Sequence, residues 1–162
     1  MKAIVAVDKN WGIGCKGNLL IDLKDDLAHF KKHTMGSVVI MGRGTYESLP
    51  GQKPLPGRTN IILSRKKDLE VEGFIVCHST REFFETLHEH RDREIYVIGG
   101  EGVYLILLPF CSEIHVTKID HAFEADKHFP NLDEMPEWAL EEEGEQLEEN
   151  GIRYRFVVYR RK

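Results

Sequence analysis

The chain has 162 residues, 41% hydrophobic and 30% charged, with a formal net charge of −5 at pH 7. That length suits one domain burying about 70% of its unfolded surface, and the acidic balance leaves no general electrostatic case for binding nucleic acid or an anionic membrane. Cys15, Cys77 and Cys111 are odd in number and lack CxxC spacing, so free thiols in a reducing, cytoplasmic setting are expected.

The apolar start Ala3–Val7 stops at Asp8, too short for a signal peptide or a membrane span. With Val38–Met41, Asn60–Leu63 and Glu94–Ile98 it makes four nearly all-apolar runs, and Phe74–Cys77 is a shorter fifth. Unbroken apolar runs of this length suit strands covered on both faces of a mostly parallel sheet. Leu23–His33, Thr45–Leu49, Thr80–His88 and Gly102–Leu108 are the intervening helical stretches, the last stopped by Pro109. Alternation of strand and helix predicts an α/β class. Glu113–Ile119 is a further strand, and Trp138–Glu145 and Ile152–Arg160 flank the turn signal Glu149-Asn150-Gly151, predicting an antiparallel C-terminal hairpin. One hairpin strand is rich in Glu and the other in Arg, so opposite charges face across the ladder; Glu141–Glu143 is then a solvated edge. No linker or repeat interrupts the chain. A single domain over residues 1–162 is expected: a central, mostly parallel twisted sheet with helices on both faces.

Asp22 is the expected N-cap of the first helix, with Asp25 completing a capping box. Leu23, Leu27 and Phe30 form one apolar stripe at helical spacing. Asp26 lies toward that stripe and Asp25 toward solvent. A carboxylate so placed is costly unless paired. It is satisfied by a backbone amide or a hydroxyl, or it faces a cleft and accepts two parallel N–H bonds from a 2-amino-4-oxo heterocycle. Burial would raise its pKa and the helix N-terminus would lower it.

Three strand ends lead into anion-binding chemistry. Met41 runs into Gly42-Arg43-Gly44-Thr45, and Ile98 into Gly99-Gly100-Glu101-Gly102. Glycine admits backbone N–H groups close to a phosphate, and a helix N-terminus favours negative charge. Neither junction has the GxGxxG or Walker spacing. Leu63 leads into Ser64-Arg65-Lys66-Lys67, a hydroxyl followed by cations that suits a phosphate monoester.

These pieces, with Gly12-Ile13-Gly14, Thr34-Met35, Thr45-Tyr46-Glu47-Ser48-Leu49, Pro54-Leu55-Pro56-Gly57-Arg58, Asn60-Ile61-Ile62, Tyr104, Thr117-Lys118-Ile119, Asp126 and Phe129-Pro130, resemble the dihydrofolate reductase family in order and spacing over nearly the whole chain. The resemblance implies NADPH-dependent reduction of dihydrofolate to tetrahydrofolate. Asp26 would bind the pterin, supported by Thr117. Ile4, Val5, Ala6, Leu27, Phe30 and Leu49 would wall the substrate slot. Leu55 would pack on the aminobenzoyl group, and Arg58 would pair bidentately with the glutamate α-carboxylate. Gly42, Arg43, Thr45, Gly99, Gly100, Glu101, Gly102 and Val103 would hold the pyrophosphate of NADPH. Ser64 and Arg65 would hold its 2′-phosphate, with His78 nearby. Ala6, Ile13, Gly14, Asn18 and Tyr104 would surround the nicotinamide half, and Leu63 and Ile98 complete the cofactor-binding set. Asp8–Leu23 would be a mobile lid, and the Gly99–Gly100 bond would be cis.

Three positions depart from the family pattern. Leu20-Ile21 replace a Pro-Trp pair, which removes an indole donor near the pterin. Gly44 replaces a basic or imidazole side chain beside the pyrophosphate. Ala125 replaces a glycine, so a positive φ there would be strained. An aminouracil reductase of the same architecture would lack the Asp26 helix and the Arg58 turn, and a non-catalytic NADPH- or pterin-binding module is suggested only by Ile21. His88 and His90 stand two apart, and His115 and Thr117 share a strand face. Neither has metal-ligand spacing, so no metal is expected, and the default oligomeric state is a monomer.

Overall fold

A computed structural model describes residues 1–162. The strands are β1 (Lys2–Val7), β2 (Gly12–Cys15), β3 (Asn18–Leu19), β4 (Val38–Gly42), β5 (Thr59–Leu63), β6 (Phe74–Cys77), β7 (Ile95–Gly99), β8 (Glu113–Ile119), β9 (Lys127–His128), β10 (Trp138–Glu143), β11 (Leu147–Glu149) and β12 (Ile152–Arg161). The helices are α1 (Lys24–Thr34), α2 (Arg43–Ser48), α3 (Thr80–Glu89) and α4 (Glu101–Leu107). The main sheet runs β10-β12-β8-β1-β7-β4-β5-β6, with β11 on β12. From β8 to β6 every pairing is parallel, and the pairings of β12 are antiparallel. The expected α/β sheet with its antiparallel end is present.

Alternate residues of the central strands face opposite ways, as pleating requires. Val38, Ile40, Ile61 and Val97 pack with Phe83 and Leu87 of α3 and with Val103, Tyr104 and Leu107 of α4. Val39, Met41, Ile62 and Tyr96 turn to the other face, against Phe30 of α1 and Tyr46 of α2. Helices therefore cover both faces, and every residue of β4 is buried.

The chain leaves β4 for β5 on one side and leaves β7 for β8 on the other, beyond β1. The adjacent carboxyl ends of β4 and β7 thus form a topological switch point, where open parallel sheets bind ligands. Gly42 and Gly99 lie there.

Several local expectations need correction. Asp22 does not cap α1: Leu23 is the N-cap residue and no side chain of its own accepts a bond. The helix begins one residue late, and the Lys24 N–H instead donates to both carboxylate oxygens of Glu149 at 3.0 Å. Asp25 completes no capping box either; it accepts from Tyr154 Oη at 2.8 Å. The stripe of three apolar residues is split, since Leu23 is buried whereas Leu27 is 52% exposed.

The hairpin is interrupted too. Trp138–Glu145 is not one strand, because pairing with β12 shifts register between Leu140 and Glu142, and the short β11 takes over next to the turn. Its charge pairing stands, with Arg155 on Glu143 at 2.6 Å and Arg160 on Glu142. Ala125 is absent from the positive-φ residues, so the anticipated strain does not arise. Its Cβ lies where a side chain on Gly12 would have to go, 2.7 Å from that glycine's virtual Cβ. The small sheet β3-β2-β9 has no sequence counterpart above. Its strands are too short and glycine-rich to show a period. No helix is long and apolar enough to cross a membrane.

A carboxylate borrowed from another strand makes a checkable cap. Glu149→Ala should lower unfolding stability by about 1 kcal/mol, the usual cost of losing an N-terminal cap. Urea denaturation followed by helical circular dichroism measures it, and an unchanged midpoint would show the contact carries no stability.

Candidate active site

At one end of the site a carboxylate sits half out of water. Asp26, in the first turn of α1, is half-buried, and Thr117 Oγ1 of β8 donates to its Oδ1 at 2.6 Å. Burial raises the Asp26 pKa above the ordinary carboxylate value, and the Thr117 hydrogen bond only partly opposes that. The desolvation cost therefore outweighs the single hydroxyl, which settles a direction that spacing alone left open.

Of the residues expected to wall a substrate slot, Ile4 is buried in one apolar cluster with Val39, Met41, Ile62 and Tyr96, and Phe30, Leu49 and Leu55 pack on it. Ala6 instead packs with Ile21, Leu23 and Ile119, and Val5 faces the cofactor-sized cleft as well as the main core. Ile21 fills its position as an apolar residue with no donor.

Arg58 is anchored by two hydrogen bonds. Its Nε donates to Pro56 O at 3.0 Å and its Nη1 to Thr34 Oγ1 at 3.1 Å. Nη2 makes no protein bond and remains available to an anion. The turn that presents Arg58 and Leu55 is built by Asn60. Its Oδ1 accepts the Leu55 N–H at 3.0 Å, and its Nδ2 donates to Leu55 O at 3.0 Å and Arg58 O at 3.1 Å. Asn60 is 2% exposed, and its supporting role was invisible in a strand-like run.

The second half of the site is a cleft of about 760 Å³ at the switch point. It brings together Ala6, Ile13, Gly14, Asn18, Gly42, Arg43, Thr45, Leu63, Ser64, Arg65, His78, Ile98, Gly99, Gly100, Glu101, Gly102, Val103 and Tyr104. It also takes in Gly44, the family departure named above, and Cys15, Gly17, Leu19, Ser48, Ser79, Thr80, Ile106 and Lys127, which sequence reasoning did not assign to the site. Lys127 reaches the cleft only because β9 pairs with β2. Asp26, Leu27, Phe30, Leu49, Leu55, Arg58 and Thr117 do not line this cleft.

A Cβ on Gly42 would lie 2.9 Å from Val103 Cγ2, and Gly99 has a φ of +124°, which L side chains rarely adopt, whereas a Cβ on Gly100 would meet only the Thr45 hydroxyl at 3.5 Å, an ordinary contact. The Gly99–Gly100 peptide is cis. Arg43 is exposed and pairs with Glu47 at 3.5 Å. Gly44 has no atom within 4 Å of its virtual Cβ, so no side chain stands in for the missing base. Tyr104 Oη donates to Ile4 O at 2.7 Å, and burial drives its pKa upward.

A dinucleotide phosphate fits the Ser64 corner on one observation. His78 Nδ1 is buried without a partner beside Ser64 and Arg65, and such an orphan asks for a ligand or a water. Ser64 Oγ accepts the Lys66 N–H at 3.2 Å, which leaves its hydroxyl proton free to donate.

Gly14, Cys15, Asn18 and Leu19 of β2 and β3, within the segment expected to be a lid, line the cleft. The segment is tied at its start, where Asp8 Oδ1 accepts from Asn10 N at 2.9 Å and Gly12 N at 2.8 Å, while Asp8 Oδ2 accepts from Phe123 N at 2.9 Å. Asp126 accepts the Lys16 N–H at 2.9 Å, and Glu101 accepts the His128 N–H at 2.7 Å.

A family model for dihydrofolate reductase matches residues 1–161. The chain is 40% identical over 161 residues to the dihydrofolate reductase of Bacillus subtilis (strain 168), covering 98% of this chain and 93% of the relative. It is 37% identical over 153 residues to that of Mycobacterium tuberculosis (strain ATCC 25618 / H37Rv), covering 92% and 90%. In structure it is similar to the dihydrofolate reductase of Enterococcus faecalis complexed with NADP(H) and RAB-propyl, with a TM-score of 0.86, 33% identity, and coverage of 99% of this chain and 95% of that one.

The raised Asp26 pKa has a stability consequence with a definite sign. The folded state holds the Asp26 proton to higher pH than the unfolded chain, so deprotonation penalises folding as pH rises past the ordinary carboxylate value. Asp26→Asn removes that penalty and keeps an acceptor for Thr117. The variant should be more stable than the parent at pH ~7, and the gap should close below pH ~4, where both side chains are neutral. Urea midpoints at the two pH values measure it; equal midpoints at both would show that the carboxylate carries no folding penalty.

Proposed function

The chain belongs to the dihydrofolate reductase family, and on that premise we propose that it reduces dihydrofolate to tetrahydrofolate with NADPH, with Asp26 holding the pterin and the switch-point cleft holding the cofactor. The observation that carries the reading is the Asp26–Thr117 pair, a half-buried carboxylate held by a hydroxyl from β8. NADPH supplies the hydride, delivered to the carbon of the pterin C=N bond.

The chain's own residues bind, orient and polarise. Asp26 accepts the ring N–H and the amino group of the pterin side by side, and Thr117 fixes the carboxylate plane. Because its pKa is raised, Asp26 readily shares a proton with the ring and so favours protonation of the adjacent nitrogen, the proton itself arriving through water. Phe30, Leu49 and Leu55 sandwich the flat substrate, and the free Nη2 edge of Arg58 takes the glutamate carboxylate.

On the cofactor side, the backbone around Gly42, Gly99 and Gly100 with Thr45 holds the pyrophosphate, and Ser64, Arg65 and His78 hold the 2′-phosphate. Ala6, Ile13, Gly14, Asn18 and Tyr104 face the nicotinamide, with the lid β2–β3 above them excluding water. The same reading includes a cytoplasmic, monomeric enzyme; the free thiols Cys15, Cys77 and Cys111 suit a reducing compartment.

Steady-state kinetics separate these roles. Asp26→Asn should lower kcat by about a hundredfold at neutral pH. Arg58→Ala should raise the KM for dihydrofolate by about tenfold and leave kcat near the parent value. Arg65→Ala should raise the KM for NADPH by about tenfold without affecting that for NADH, which lacks the phosphate. NADPH oxidation that is independent of added dihydrofolate, or an Asp26→Asn enzyme with full turnover, would defeat the assignment.

A further inference from the structure

Helix α1 carries a second set of functional groups besides Asp26. His29 and His33 stand four residues apart, on one helix face one turn from each other. His115 of β8 lies beneath them. Ring centroids are 4.3 Å apart for His29 and His33 and 4.7 Å apart for His33 and His115. One ring nitrogen from each of the three lies within 4.8 Å of the others.

We propose that His29, His33 and His115 form a binding site for a first-row divalent transition metal ion, bridging α1 to β8. Three imidazoles with water in the fourth position suit a tetrahedral zinc-type ion with metal–nitrogen bonds of about 2.0–2.1 Å. That geometry needs nitrogens about 3.3 Å apart. The rings must draw together by roughly 1.5 Å at most, a displacement within reach of the soft terminal imidazole torsion.

Two further observations support the site. The only protein hydrogen bond to any of the three rings joins His115 Nε2 to Glu113 Oε2 at 2.8 Å. This leaves His115 Nδ1 to ligate and supplies the carboxylate partner that metal-bound imidazoles usually have. Glu113 is in turn held by Arg160 Nε at 2.8 Å and Lys2 Nζ at 3.3 Å.

The second is access: His29 and His33 are half-exposed at the surface while His115 is 8% exposed, so an ion can enter from the helix side. Stacking of His29 on Phe156, with centroids 4.0 Å apart and planes at 11°, holds one ring in place. Lys2, Lys32 and Arg160 oppose a dication and limit the affinity to the micromolar range expected of an uncompensated site.

The test uses the full-length chain without a purification tag, stripped with chelator and titrated calorimetrically with Zn²⁺ near neutral pH. The expected result is one ion per chain, with Co²⁺ giving the visible absorption of a tetrahedral nitrogen site. His33→Gln should weaken Zn²⁺ binding by about tenfold or more, while His88→Gln, on α3, should leave it unchanged. Because His33 is on the surface, an unaltered circular dichroism melt shows that its variant is folded. No binding by the parent up to ~100 µM Zn²⁺, His33→Gln binding as tightly as the parent, or loss in His88→Gln instead, would each overturn the site.

Discussion

One hydrogen bond sets the substrate end of this molecule: Thr117 Oγ1 to Asp26 Oδ1, 2.6 Å long and spanning 91 residues of sequence. It fixes a carboxylate that would otherwise turn to solvent, and it holds α1 at a set distance from β8. The same helix is tethered at its N-terminus by Glu149 and along its first turn by Tyr154. All three partners come from β8 or from the antiparallel β11–β12 pair. Strand β8 and the antiparallel strands beyond it therefore position the acid, although none of their residues lines the switch-point cleft.

The parallel half has a different task. Its strands end in glycines at the switch point, where the crossovers leave in opposite directions. Gly42 lies under Val103, which leaves no room for a side chain, and Gly99 holds a positive φ that favours glycine. The two halves adjoin at β1, whose Ile4 carbonyl takes the Tyr104 hydroxyl and whose Val5 and Ala6 face the cleft.

Helix α1 thus faces β8 at two depths. Near its start, burial of an acid raises a pKa and is balanced in part by a hydroxyl; one turn on, burial of imidazoles lowers theirs. Both shifts have the same origin, the cost of charge in a partly dry gap between helix and sheet.

The sequence alone determined the α/β alternation, because unbroken apolar runs and helical periods are local properties. It also located Asp26, the three glycine- or cation-bearing strand ends and the Arg58 turn, since each is a short contiguous pattern. The tertiary structure decided whatever depends on distant residues meeting. Glu149 rather than Asp22 caps α1, because a carboxylate from 125 residues away outcompetes a local one. Ala125 escapes a positive φ by packing over Gly12. Lys127 joins the cleft through pairing of strands too short to show a period. The three imidazoles converge only when α1 folds onto β8, because a helix repeat and a strand repeat share no spacing in sequence. The direction of the Asp26 shift needed the same step: desolvation depends on what surrounds a side chain, and no linear pattern records that.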